Sequence, residues 1–104
     1  MRLTLALFFY LFLGLGLSAC VGKPPLQEYM LSYVAIESAQ EARAKEYAKK
    51  QLHISQTLYE QALRHYNERD YKKAKEFFNQ SRRYAEQAEL RARVIQRRKG
   101  EALL

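Results

Sequence analysis

Residues 71–95 read YKKAKEFFNQSRRYAEQAELRARVI. Within them Tyr71, Ala74, Phe78, Ser81, Ala85, Ala88, Ala92 and Ile95 recur in alternating steps of three and four. A helix turns once per 3.6 residues, so this spacing lays all eight side chains along one stripe. A strand, with its period of two, would scatter them over both faces. Phe77 and Tyr84 widen the stripe on one side, and charged residues fill the positions between. The stretch therefore predicts a long amphipathic helix. Its alanines and serine predict close approach by whatever packs on it, with aromatics filling the gaps. Phe78, an aromatic on the stripe among its alanines, is expected in the core.

Upstream, Leu52, Ser55, Tyr59, Ala62 and Tyr66 repeat the same steps, flanked by Leu58 and Leu63. "YNERDY", residues 66–71, separates the two seams. Asn67 suits the left-handed conformation that ends a helix. Asp70 suits the N-cap of the next one. A third seam runs through Tyr29, Ser32, Ile36 and Ala39. Extended backwards, the second seam would require apolar residues at 48, 45, 41, 38 and 34, where Ala48, Lys45, Glu41, Ser38 and Val34 stand, a poor match. The third seam is about two residues out of phase with it, or ~200° of rotation. A break between about Arg43 and Lys50 repairs the mismatch, although no strong breaker sits there. No proline or glycine occurs from Leu26 to Lys99, and Gly100 with the four residues after it is expected to end the last helix. The fold expected is all-α: a short antiparallel three-helix bundle over residues 28–99, made of a helix hairpin plus an N-terminal helix, with a tail at 100–104.

The start of the chain has a different character. After Met1-Arg2, residues 3–19, LTLALFFYLFLGLGLSA, carry no charge. A positive start, an apolar run and small residues before a cut site make a secretory signal. The run also approaches the ~20 residues that cross a bilayer, so an uncleaved membrane anchor competes with it. Leu17-Ser18-Ala19-Cys20 resembles the bacterial lipobox at all four positions, and Cys20 is the single cysteine in the chain. That resemblance implies a diacylglycerol on the Cys20 thiol and cleavage between Ala19 and Cys20. The plainer alternative is a cysteine acting as a small hydrophobe in a helix. One acyl chain binds membranes marginally and stable anchoring takes two signals, so two or three chains on Cys20 would suffice. On this reading residues 1–19 are the signal and 20–27 a lipidated tether, stiffened by Pro24-Pro25. Val21 stands where an aspartate commonly retains lipoproteins in an inner membrane. The expected address is the cell envelope, on the outer membrane facing the periplasm where there are two membranes.

The chain has 18 Lys+Arg against 11 Asp+Glu, a net charge of +7. Arg2 is the one charged side chain in the signal. Such a balance in a cytosolic protein suggests nucleic acid, but export removes that expectation. Phospholipid, lipopolysaccharide, cell-wall polymers and acidic proteins remain as anionic partners.

The segments AIESAQEARAKEYAKKQL (35–52) and YEQALRHYNERDYKKAKEFFNQSRRYAEQAEL (59–90), after a lipoprotein signal, resemble small bacterial envelope proteins known as domain of unknown function 4398. The resemblance implies a helical lipoprotein and no catalytic residues. It departs at Tyr47-Ala48-Lys49, where the family has a proline corner. Ala62, Asp70-Tyr71, Ala74 and Phe78 also resemble one tetratricopeptide unit, but such arrays need about three. Two ordinary antiparallel helices are the plainer reading.

No catalytic constellation emerges. His53 and His65, the only histidines, are 12 residues apart. On one helix that is ~18 Å, too far to share a metal ion. No glycine-rich phosphate loop is present. Neither a metal nor a cofactor is expected beyond the covalent lipid on Cys20, and the chain is not expected to be an enzyme. Arg91, Arg93, Arg97, Arg98 and Lys99 crowd one end, with Arg82 and Arg83 upstream. They either complement the helix dipole and keep the protein soluble, or contact an anionic surface. The tyrosines are expected at the core boundary with wetted hydroxyls, where a few of them could line a groove for peptide or glycan. The function expected is a structural or adaptor lipoprotein binding an envelope protein. The alternative is a module for an anionic polymer or membrane surface. Homo-oligomerisation through an exposed alanine seam stays open.

Overall fold

The predicted stripe is the axis of the molecule. In the computed structural model, which describes residues 1–18 and 22–103, Ala74, Phe78, Ser81, Ala85, Ala88 and Ala92 are all fully buried. They lie on α5 (Tyr71–Leu103), which packs lengthwise against α2 (Leu26–Glu41) and α4 (Lys49–Asn67). Between these last two lies a single turn, α3 (Ala44–Tyr47), and the apolar start of the chain forms α1 (Arg2–Ser18). The described residues thus hold five helices and no strand, and the expected three-helix bundle is corrected on two counts.

The first is α1. Its described side chains, from Arg2 to Leu13, are all exposed, and none of them joins the core. It has 17 residues, and no described helix is long and apolar enough to cross a membrane. The second is the break between the first two seams. It is two bends with a helical turn between them. Arg43 takes φ 63 and ψ 36, a left-handed conformation that costs a side-chain-bearing residue about 1–2 kcal/mol. Ala48 then opens to φ −144. The mismatch of phase is absorbed in two steps, and Ala42, Ala44 and Ala48 all stay buried.

The chain runs up α2, down α4 and up α5. Tyr29 meets Tyr59 and Tyr66 across α2 and α4, with ring centroids 6.1 and 6.2 Å apart. Glu28 reaches Lys75 at 3.7 Å, at the end where α2 and α5 begin. At the far end the Gln96 side chain donates to the Ala42 carbonyl, left free where α2 stops, and to Ala92 at 3.2 Å.

Two core regions flank a polar crossing. Near the start of α2, Phe78 is enclosed by Tyr29, Tyr59 and Tyr66 at 5.4, 5.7 and 6.5 Å. At the other end Ala39, Ala42, Ala44, Ala48, Ala88 and Ala92 gather with Leu52. Between them Ser55 and Ser81 interlock. Each hydroxyl donates to the other's backbone carbonyl at 2.7 Å. Only helices in near backbone contact permit this, because a serine hydroxyl reaches little beyond its own Cβ.

The turn from α4 to α5 also differs from expectation. Arg69, at φ 60, takes the left-handed place expected of Asn67. Arg69 N–H bonds the Tyr66 carbonyl at 3.1 Å and Asp70 N–H bonds that of His65 at 2.9 Å, the paired pattern of a Schellman cap. Asp70 then caps α5 as expected, accepting from the Lys73 N–H at 3.4 Å. Helix α5 does not stop at Gly100 but runs to Leu103, since glycine lowers helix propensity by about 1 kcal/mol without forbidding helix.

Candidate functional site

The lipidation and cleavage residues, Cys20 and Ala19, lie outside the described residues. The basic end does not. Arg91, Arg93, Arg97, Arg98 and Lys99 are all exposed on the last part of α5. They do not act alike. Arg93 is tied to Glu89 at 3.1 Å, one turn back. Lys99 turns inward and sets its ammonium 4.5 Å from the centre of the Tyr47 ring. Arg91, Arg97 and Arg98 have no ion-pair partner among the described side chains.

The fold adds to this end residues that the sequence kept apart. Arg43 also stands over the Tyr47 ring, 5.5 Å from its centre, and pairs with Glu46 at 2.7 Å. That pairing holds its guanidinium proton more firmly than usual, through the hydrogen bond first and the charge second. Tyr47 is thereby clasped by cations from α5 and from the α2–α3 bend, a cation–π arrangement. Exposed Lys45, Lys49 and Lys50 belong to the same corner. Because Gln96 bonds Ala42, and Ala88 and Ala92 pack on Ala44 and Ala48, this corner and the end of α5 form one surface. Glu41, Glu46 and Glu89 are its acidic residues among the described side chains. No spacing rule links Tyr47 with Lys99, so only the packed alanines bring the two halves together.

Helices α2 and α4 both lean on α5 and leave a groove between them. Tyr33, Glu37, Tyr59 and Glu60 line one part, a space of about 450 Å³. Gln40 and Gln56 border that part and the next, where Lys45, Lys49 and His53 take over. Glu37, one turn along α2, raises the pKa of the Tyr33 hydroxyl through hydrogen bonding and then through its charge. Burial, and then a hydrogen bond with Tyr29, raises that of Tyr59. The groove is acidic at one end and basic at the other.

The histidines stay apart, as their spacing requires. His53 is exposed at the groove. His65 stacks on Phe77 at 5.2 Å and holds Nδ1 3.8 Å from Asp70. Among the described residues no group of acids, histidines or cysteines is placed to hold a metal ion. Ala74, Ala85, Ala88 and Ala92 of α5 are buried inside the bundle. In comparison with known proteins, no family model, no curated protein and no solved structure matches this chain, so what it does has to be read from its residues.

Proposed function

We propose that the chain is a non-catalytic adaptor lipoprotein, held to an envelope membrane through Cys20 and offering the far end of its bundle to an acidic protein partner. The observation that carries this is the direction of the basic end. The tether enters where α2 and α5 begin. Arg97 lies 26 residues beyond Tyr71, ~39 Å along α5 at 1.5 Å per residue. The corner cations Lys45 and Lys49 join it there, away from the tether.

Two measurements test the reading. The first is the intact mass of protein extracted from native membranes, beside that of Cys20→Ser. A mass beginning at Cys20 with two or three acyl chains, lost in the variant, supports the anchor. A full-length, unacylated mass ends it. The second places a photo-crosslinking residue at Val94, beside the arginines, in native membranes. The expected product is a protein adduct that fades with added salt and with Arg97→Glu/Arg98→Glu. No adduct at all would defeat the adaptor reading.

The exposed Arg91, Arg97 and Arg98 favour one second reading, a contact with an anionic envelope polymer. Adducts to polymer alone would select it. Binding indifferent to salt would exclude it, because contacts between exposed charges are screened within about 8 Å at physiological ionic strength.

A further inference from the structure

Helix α2 has two apolar faces, and the bundle uses one of them. Ser32, Ala35 and Ala39 point into the core. On the opposite side Leu26, Met30 and Val34, one turn apart, are 60%, 56% and 51% exposed. Leu31 and Tyr33 flank them and are also exposed. Beyond Val34 the same face turns acidic, with Glu37 and Glu41 in the next positions. Apolar character on this face is therefore confined to the half of α2 nearest the chain's entry. Isolated exposed leucines need no explanation, but a contiguous patch on a small domain does.

From these observations we infer that this outer face of α2 lies in the membrane–water interface, seated on the bilayer that holds Cys20. The inference rests on the anchored reading above. Leu26 is six residues after Cys20, and six residues span at most about 21 Å even when fully extended. The first turns of α2 are thus held beside the lipid headgroups. The charge around them suits that surface. Lys23 and Lys72 share one open cleft with Pro24, Pro25 and Tyr71. Lys73 is paired with Asp70 at 3.9 Å and Lys75 with Glu28 at 3.7 Å. An apolar helix face with exposed lysines at the same end of the bundle is the composition that settles on anionic membranes. Tyr33, with an apolar ring and a polar tip, suits the boundary where that face ends. Glu37 and Glu41 then mark the part of the helix that rises away from the surface.

The test puts a benzophenone residue at Met30 or Val34, and as a control at Gln87 on the exposed side of α5. Mature protein lipidated at Cys20 is reconstituted in vesicles of phosphatidylethanolamine and phosphatidylglycerol and irradiated. The expected result is the mass of one phospholipid added at Met30 and at Val34, and none at Gln87. Crosslinking of Met30 to a second copy, or no lipid adduct at either position, overturns the inference. Intact mass separates this from failure of the anchor. Protein that proves to carry no acyl chain is added to the same vesicles from solution. There a lipid adduct at Met30 upholds the seated face, and its absence ends it.

Discussion

Phe78 is the single large side chain among the fully buried positions, and three tyrosine rings close around it. Phe78→Ala removes the ring and leaves a cavity that the rigid helices cannot fill, at a cost of about 3–5 kcal/mol. A domain of this size has roughly 0.05–0.15 kcal/mol of stability per residue. We expect the variant to be largely unfolded by circular dichroism, and an unchanged melting curve would remove Phe78 from the core. That position was legible because a stripe of period 3.6 is a statement about one helix. Arg69 was not. Its left-handed backbone is imposed by the Schellman cap, and arginine gives no local sign of it. Arg69→Gly should therefore raise stability by about 1 kcal/mol, read as a higher melting temperature. A lower one would mean that the guanidinium has a role here. Tyr59 makes a third case. Its raised pKa means that the folded state keeps a proton which an unfolded tyrosine releases near pH 10. Its contribution is whole below that pH and is lost as pH climbs through and beyond it. The stability advantage of wild type over Tyr59→Phe should hold up to about pH 10 and shrink above it in paired thermal melts. A constant difference would refute the assignment.

Among the elements, how closely α4 and α5 approach is set by what is absent from their side chains. Ser55 and Ser81 are small enough for the helices to meet, and their hydroxyls answer each other's carbonyls. Ser55→Ala keeps the volume and removes one bond, so a loss of about 1 kcal/mol is expected. Ser55→Leu adds bulk where no space exists and should cost more, typically 1–3 kcal/mol from overpacking alone. If leucine were as well tolerated as alanine, the close crossing would be wrong. Alanine and serine spacing made the crossing visible in sequence, but the reciprocal bonds depend on register between helices, which no single stripe encodes. The corner between α2 and α4 shows the same limit. The phase mismatch announced a break, yet placing two bends around α3 depends on Ala42, Ala44 and Ala48 finding α5. Gln96 completes that corner from 54 residues away by bonding the Ala42 carbonyl. Gln96→Ala would leave the carbonyl unpaired at a partly buried site and should cost about 1–3 kcal/mol. Hydrogen exchange should then speed first around residues 40–48.

For the molecule as a whole, the question is which charges act together. Sequence grouped Arg91 to Lys99 because they are neighbours along one helix. It could not add Arg43, Lys45 and Lys49, which lie some 50 residues earlier and arrive only when Ala42, Ala44 and Ala48 meet Ala88 and Ala92. Nor could it separate that end from the other basic group at Lys23 and Lys72, which opens where α2 and α5 begin. A folded basic end makes a different prediction from a basic segment. If the surface acts as a unit, Lys45→Glu/Lys49→Glu should weaken retention on a polyanionic resin about as much as Arg97→Glu/Arg98→Glu. Both should lower the salt needed for elution, because screening and charge reversal act on the same field. Lys23→Glu/Lys72→Glu makes the same change in net charge at the opposite end and should alter retention less. All three pairs are exposed, so melting temperatures should barely move. Equal shifts for all three pairs would mean that net charge alone governs retention. A shift confined to Arg97 and Arg98 would return the function to the helix end, with the corner as mere support. A larger shift from Lys45 and Lys49 than from Lys23 and Lys72 is the outcome that makes the corner part of the binding surface.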